Sequence, residues 1–336
     1  MRIATWNVEW FTHLFDDEGE FLPGGGWSGR RDVRRYEQAE AIAHVLTRID
    51  ADAVMVIEAP DSHSKRDGIA ALRTFARHFG LRTRSALMGF VNDTQQEIAL
   101  LYDPEALEAR HDPQGATNGG GVPRFDQSYR IDVDVDRAPE TIRWSKPPLE
   151  LAVRTEAGTE LRMIGVHAKS KAPHGARTPD QIMAVSIANR RKQLAQCIWL
   201  RARVEEHLAR GESLVVLGDF NDGPGLDDYE ALFGRSGVEV VAGEGDGPRL
   251  FDPHAGAPLT RTAARPTSAR FRVPPDGRYL TAMLDFIMVS EDLLGRGPDW
   301  RIWHPFEDPD CYADADLRKA LLTASDHFPV TLDLSI

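Results

Sequence analysis

The sequence predicts a mixed α/β protein in which sheets and helices pack in layers. Short apolar runs alternate with longer stretches of helical periodicity, and two of the runs form a hairpin-like pair across residues 156–159. Hydrophobic residues make up 42% of the 336-residue chain, which is enough for a sizeable core and excludes intrinsic disorder as the main state. At roughly 150 residues per domain, length alone predicts about two domains.

Strands are predicted where short apolar runs end at polar or turn-forming residues. They span residues 3–8, 53–58, 98–102, 149–154, 161–167, 214–219, 284–290 and 328–334. Helices are predicted at residues 34–48, 69–79 and 179–208, and the first places Ala39, Ile42, Ala43 and Leu46 on one face. Residues 21–31 and 241–278 are rich in glycine or proline and are predicted loops. Loops as long as the second are uncommon in compact domains and tend to be functional.

Charge and composition exclude several classes of protein. The net charge of −12 argues against a generic polyanion binder, so any contact with nucleic acid needs a local basic patch. No apolar run approaches the roughly 18 residues of a membrane span. No basic segment precedes an apolar one at the start, so no signal peptide is visible and a cytoplasmic location is expected. Cys197 and Cys311 provide no disulfide framework and no metal-binding pair.

Polar residues at the ends of apolar strands are the main chemical signal. Each marks a place where a core element reaches a cleft or the surface, and each by itself is better explained as a cap or a turn former. Six such places in one chain favour a shared site. They are Asn7, Glu58, His167, the pair Asp219 and Asn221, Asp285, and the pair Asp326 and His327.

These residues lie in blocks whose order along the chain resembles the endonuclease/exonuclease/phosphatase superfamily of deoxyribonuclease-like enzymes. The blocks are Thr5-Trp6-Asn7, Ile57-Glu58, Val166-His167-Ala168-Lys169-Ser170, Gly218-Asp219-Phe220-Asn221-Asp222, Leu284-Asp285-Phe286-Ile287 and Ser325-Asp326-His327-Phe328-Pro329. The resemblance implies a four-layer α/β/β/α sandwich with two facing mixed β-sheets and a metal-binding cleft at one end. It also implies one domain over residues 1–336 instead of two.

Phosphoester hydrolysis needs phosphate charge neutralised and a water activated. Hard oxygen ligands suit Mg²⁺, with Mn²⁺ as a substitute, and no Cys/His cluster suggests zinc. Glu58 is the first choice of ligand, Asn7 is expected to support the same ion or a phosphate oxygen, and Asp326 is a second metal contact.

The resemblance also implies catalytic roles for five residues. Asp219 accepts a proton from the attacking water or orients it, and Asn221 holds a phosphate oxygen. His167 and His327 donate hydrogen bonds to the nonbridging oxygens. Asp285 bonds His327 and keeps it protonated or correctly oriented. A strand-starting turn is the alternative explanation for Asp285.

Basic residues outside these blocks are candidates for substrate binding. Lys169 follows His167, and residues 258–279 hold five arginines against one acidic residue. Arg265, Arg270 and Arg272 of this segment are predicted to follow a phosphate backbone beside the cleft. Solvated loop charges, or pairing with acidic residues elsewhere on the surface, are the alternatives.

Two features match the family loosely. An acidic residue often supports the first histidine, and Gln96-Glu97 lie at that place with a register ambiguous by one residue. Where many members carry an arginine before a strand, this chain has Lys146, with Arg143 as a competitor. Neither basic residue is included in the predicted site.

The predicted function is a Mg²⁺-dependent phosphodiesterase, a nuclease acting on DNA or RNA. The alternative is a phosphatase or phosphodiesterase for a small molecule or a lipid headgroup. A non-catalytic protein on the same scaffold predicts losses among Glu58, Asp219, Asn221, Asp326 and His327, and none is lost. No protein partner is readable from the sequence.

Overall fold

Two six-stranded β-sheets lie at the centre of the protein. The computed structural model describes residues 1–115, 121–133, 139–224, 230–245, 247–256, 266–273 and 277–336. In chain order the strands are β1 Arg2–Asn7, β2 Ala53–Ala59, β3 Ser85–Met88, β4 Glu97–Tyr102, β5 Leu107–His111, β6 Tyr129–Ile131, β7 Glu140–Ile142, β8 Leu149–Thr155, β9 Glu160–His167, β10 Leu214–Asp219, β11 Leu250–Phe251, β12 Ala269–Val273, β13 Arg278–Ala282, β14 Asp285–Ser290, β15 Asp299–Ile302 and β16 Val330–Asp333. The helices are α1 Arg35–Ile49, α2 Gly68–Phe79, α3 Pro179–Ala209, α4 Gly237–Ala242, α5 Glu291–Leu294, α6 Pro309–Ala313 and α7 Ala315–Ala324.

Both sheets are mixed. The strand order is β15-β16-β1-β2-β4-β3 in the first sheet and β11-β14-β10-β9-β8-β5 in the second. A parallel pair lies near the centre of each, β1 with β2 and β9 with β10, and the other pairs are antiparallel. The carboxyl ends of the two central pairs are therefore the places where functional side chains can gather.

The sheets pack face to face through apolar side chains. Met55 and Ile57 of the first sheet share one buried cluster with Met163 and Leu217 of the second. Gly165 lies at a close approach, because an added Cβ there would be 2.4 Å from the sulfur of Met55. The inward faces of both sheets thus form one core, which fixes the relative position of their strand ends.

Helices cover the outer face of each sheet. Helices α1, α2 and α7 bury residues such as Ile42, Leu72 and Leu321 against the first sheet. Helices α3 and α4 bury Trp199 and Val238 against the second. The predicted four-layer α/β/β/α sandwich is confirmed. Within the described parts of the chain, no helix has the length and apolar character needed to cross a membrane.

The sequence located most central elements and missed the peripheral ones. Helix α3 begins where predicted because Thr178 and Gln181 form a capping box around Pro179. Strands β3, β5 and β15 were not predicted; they lie at sheet edges, where one face meets solvent and the apolar run is interrupted. The loop prediction for residues 241–278 was partly wrong. Its described part contains β11, β12 and the start of β13, and β12 and β13 form a separate two-stranded hairpin.

Candidate active site

The carboxyl ends of β1, β2, β9 and β10 open into one cleft of about 1840 Å³. In the second sheet, Asp219 at the end of β10 is in register with His167 on β9 and with Asp285 on β14. The predicted residues that line the cleft are Asn7, Glu58, His167, Lys169, Asp219, Asn221, Asp326 and His327. Asp285 is fully buried directly behind His327.

His327 and Asp285 form a buried charged pair. His327 Nδ1 lies 2.8 Å from Asp285 Oδ2, which also accepts a 2.7 Å hydrogen bond from Ser268 Oγ. Burial opposes the imidazolium, but Asp285 and Asp219 outweigh it and raise the pKa of His327 well above its usual value. The other ring nitrogen, Nε2, lies 3.9 Å from Asp219 Oδ2. His327 is therefore held as a cation beside Asp219.

Asp219 is buried and held by several donors. Its Oδ2 accepts hydrogen bonds from Asn7 Nδ2 at 3.0 Å and Asn221 Nδ2 at 3.1 Å, and its Oδ1 accepts from the Asn221 backbone at 2.8 Å. Asn221 adopts a positive φ of 51°, which turns the chain back toward Asp219. Burial raises the pKa of Asp219 to about 7, with His327 lowering it and Asp285 raising it. A carboxylate with that pKa is well matched to general-base chemistry near neutral pH.

His167 contacts a lysine that the sequence analysis left out of the site. Lys146 Nζ lies 3.1 and 3.0 Å from the two ring nitrogens of His167 and donates a 2.9 Å hydrogen bond to Gln96 Oε1. Burial, then Lys146 and His327, lowers the pKa of His167 well below its usual value. Burial also lowers the pKa of Lys146 to about 8, although Glu58 and Asp219 oppose the shift. His167 is thus neutral, and Lys146 is the cation on this side of Asp219.

The structure resolves the register of Gln96 and Glu97. Gln96 faces the cleft and supports Lys146, whereas the buried carboxylate of Glu97 accepts hydrogen bonds from Asn92, at 3.1 Å from its backbone and 2.5 Å from its side chain. The side chain that supports Lys146 beside His167 is therefore the amide of Gln96 and not a carboxylate. The usable sequence signal for Lys146 was its place before Pro147 and Pro148, where the family resemblance implies an arginine.

The three predicted metal ligands line the same cleft, Asn7 and Glu58 from the ends of β1 and β2 and Asp326 from the segment before β16. Glu58 sits at a bulge in β2 with a φ of 61°, and its Oε2 accepts a 2.9 Å hydrogen bond from the Trp10 backbone. Asn7 Oδ1 accepts a 3.1 Å bond from the backbone of Glu9. Asp326 is the third member, and all three side chains line the cleft. Carboxylate and amide oxygens are the donor set that a hard divalent cation prefers.

Glu9 is an acidic neighbour that the sequence analysis missed. Its Oε2 accepts a 3.1 Å hydrogen bond from the Asp326 backbone and pairs with Arg30. Burial and the charge of Asp326 raise the pKa of Glu9 to about 7. This crowding of acidic groups fits a cation at the site. Asp219, Asp285 and His327 also place one polar atom each within 4.8 Å of the others, but His327 held as an imidazolium has no lone pair for a metal ion.

The basic residues predicted to bind substrate divide into two groups. Lys169 lines the cleft, and its backbone donates a 2.8 Å hydrogen bond to Gln196. Arg270 instead lies with its guanidinium 3.4 Å from the centre of the Tyr279 ring, and Arg272 folds back against Gly277 at the hairpin turn. Neither arginine reaches the cleft, and Arg265 lies outside the described residues.

Comparisons with known proteins agree with this fold. The fold is similar to that of TDP2 from C. elegans, with a TM-score of 0.52 and 15% identity over 98% of this chain and 74% of that chain. It is also similar to an AP endonuclease from Archaeoglobus fulgidus, with a TM-score of 0.50 and 12% identity over 100% of both chains. No curated protein sequence matched the chain. The sequence model of the Endonuclease/Exonuclease/phosphatase family, whose members are metal-dependent phosphoester hydrolases, matches residues 4–327. The chain therefore belongs to the Endonuclease/Exonuclease/phosphatase family and is a phosphoester hydrolase.

Proposed function

We propose that this chain is a Mg²⁺-dependent phosphodiesterase that hydrolyses DNA or RNA, with residues 1–336 forming one catalytic domain. One observation carries the catalytic part of the proposal. Asp219 Oδ2 lies between His167 Nε2, at 3.7 Å, and His327 Nε2, at 3.9 Å, at the base of an open cleft. A general base flanked by two phosphate-binding groups is the arrangement that attack of water on a phosphodiester needs.

Asn7, Glu58 and Asp326 are the proposed ligands of the divalent cation. When bound there, the cation supplies neutralisation of the phosphate charge and stabilisation of the leaving oxygen. Glu9 adds a nearby carboxylate that strengthens cation binding. The oxygen-only donor set favours Mg²⁺ or Mn²⁺ over zinc.

Asp219 is the proposed base. It takes a proton from the attacking water as the water oxygen bonds to phosphorus and the phosphorus–oxygen ester bond breaks. His327, kept positively charged by Asp285, donates a hydrogen bond to a nonbridging oxygen through Nε2. Lys146 provides a second positive charge next to the neutral His167, and Asn221 positions Asp219 for the transfer. Charged donors fixed before the reaction stabilise the transition state more than solvent would.

A polynucleotide is the proposed substrate, although the net charge of −12 favours the alternative of a small phosphoester. Lys146 and Lys169 nevertheless line the cleft together with its carboxylates, where they can contact the phosphates of a polynucleotide. The AP endonuclease of similar fold is a nuclease, which is consistent with this substrate class. The cytoplasmic location stays a prediction.

A substrate panel tests the proposal. Purified protein with Mg²⁺ or Mn²⁺ is offered single-stranded DNA, duplex DNA, RNA, inositol phosphates, sphingomyelin and bis(p-nitrophenyl) phosphate. We expect hydrolysis of a nucleic acid, lost on chelation and reduced by about 10²-fold or more in Asp219→Asn. Asp299→Asn is the matched control, because Asp299 is exposed beside Asp333 at the opposite end of the first sheet. Turnover of inositol phosphates or sphingomyelin without nucleic acid cleavage would instead establish the small-phosphoester alternative.

A further inference from the structure

The cleft has a cationic side that extends from His167. Lys146 contacts the His167 ring, and Lys169 lines the cleft just beyond it. Lys192 on α3 donates a 3.1 Å hydrogen bond to Ser145, which also lines the cleft. Burial and the nearby charge of Lys192 lower the pKa of Lys169, so these side chains are close enough to repel one another. We call Lys146, Lys169 and Lys192 the lysine wall.

The opposite side of the cleft is apolar and extends from His327. Phe271 and Leu280 are directly paired across the β12–β13 hairpin, so they share a face, and both line the cleft. The Phe271 ring packs edge-on against the His327 ring, with centroids 5.4 Å apart. Leu280 is 56% exposed, so burial of its side chain contributes little to the stability of the fold. We call Phe271 and Leu280 the apolar wall.

Sheet order places the two walls on opposite sides of Asp219. Strand β10 lies between β14 and β9, the lysine wall adjoins His167 on β9, and the hairpin precedes Asp285 on β14. Arg270 and Arg272 lie on the hairpin face opposite Phe271, whereas Arg278 is on the same face as Phe271 and Leu280. Arg270 packs against Tyr279 on the face opposite Phe271, as strand alternation requires.

We propose that the cleft binds a single nucleic-acid strand, with the backbone phosphates on the lysine wall and a base stacked on the apolar wall. This assignment rests on the nuclease function proposed above and specifies its substrate. A single strand exposes both its anionic phosphates and the faces of its nucleobases, and aromatic side chains stack on the nucleobases. A duplex keeps its bases stacked internally and would leave the apolar wall unused. An inositol phosphate has no apolar group to pack on the apolar wall, and a phosphocholine headgroup has no second phosphate for the lysine wall once its one phosphate lies at Asp219.

Paired oligomers of equal length test the role of the bases. One is oligothymidylate, and the other carries the same phosphates with abasic tetrahydrofuran units. We expect wild type to cleave oligothymidylate with the higher kcat/KM. Phe271→Ala should lower this preference by about fivefold or more, and Leu280→Ala by about threefold, because base stacking contributes about 1–3 kcal/mol. The ratio of kcat/KM for oligothymidylate to kcat/KM for the abasic oligomer reports base stacking even if Phe271→Ala disturbs His327, because both oligomers react at the same catalytic groups.

Tyr279→Ala is the matched control, an exposed aromatic on the hairpin face turned away from Phe271, and it should keep the wild-type ratio. An unchanged ratio in both Phe271→Ala and Leu280→Ala would overturn the assignment while leaving the nuclease function intact. So would equal or faster cleavage of the same sequence as a duplex. Failure of wild type to cleave either oligomer or the duplex, with bis(p-nitrophenyl) phosphate still hydrolysed, would instead refute the nuclease function itself. Loss of binding to phosphatidylcholine vesicles in Leu280→Ala, with no change in the oligomer ratio, would assign the apolar wall to a membrane and overturn the proposal.

Discussion

Replacing Lys146 with arginine changes the pH dependence of the enzyme in a way that follows from burial of the lysine. Burial lowers the pKa of Lys146 to about 8, so the free enzyme loses this positive charge as pH rises through that value. About 90% of the side chain is charged at pH 7 and about 10% at pH 9. If this charge stabilises the transition state and Asp219, with its pKa of about 7, must be ionised to act as the base, kcat/KM falls about fivefold between these pH values. Arginine remains charged throughout the range, so kcat/KM of Lys146→Arg should show no alkaline decline and should rise about twofold from pH 7 to 9 as Asp219 ionises.

The assay measures kcat/KM for an oligonucleotide between pH 6 and 10 at saturating Mg²⁺. Lys146→Met should lose activity at every pH, because His167 is left neutral and without its cationic partner. Lys169→Arg is the control, since it keeps a charge in the cleft but leaves Lys146 in place, and its alkaline decline should stay near pH 8. An alkaline decline in Lys146→Arg at the same pH as wild type would refute the reasoning. So would full activity in Lys146→Met.

Three other predictions concern the cation, the charged pair and a buried carboxyl group. Glu58→Gln should weaken Mg²⁺ binding in calorimetry and hydrolysis together, and full wild-type activity in excess EDTA would rule out the cation's role. His327→Ala should lower kcat by about 10²- to 10⁴-fold, and adding Asp285→Asn should cost little more; a multiplicative loss would mean that the two act independently. Burial raises the pKa of Glu97 to about 7, so the folded state binds its proton more tightly and stability falls as pH rises from about 4.5 to 7. Glu97→Gln should therefore raise the free energy of unfolding by up to about 3 kcal/mol at pH 8 and by much less at pH 4, and equal urea-unfolding effects at both pH values would contradict this.

The order of polar residues along the chain was enough to predict which groups meet at the cleft. Asn7, Glu58, His167 and Asp219 each end an apolar strand, and a charged or amide side chain at such a place has few purely structural reasons to recur. The central strands and α3 were predictable because burial on one or two faces imposes a strong apolar pattern, and a capping box defines the start of α3. That information is local, so a single sequence contains it.

Contacts between distant segments were decided only by tertiary structure. The register that places Gln96 toward Lys146 and turns Glu97 away depends on the bulge in β2 at Glu58, and a shift of one residue would exchange the two faces. Strand alternation separates Arg270 from Phe271, but only the packing of Phe271 on His327 determines which face of the hairpin meets the cleft. The positions of lysines and arginines in the sequence do not show which of them face the cleft, because the packing of neighbouring apolar side chains determines the direction in which each charged side chain points.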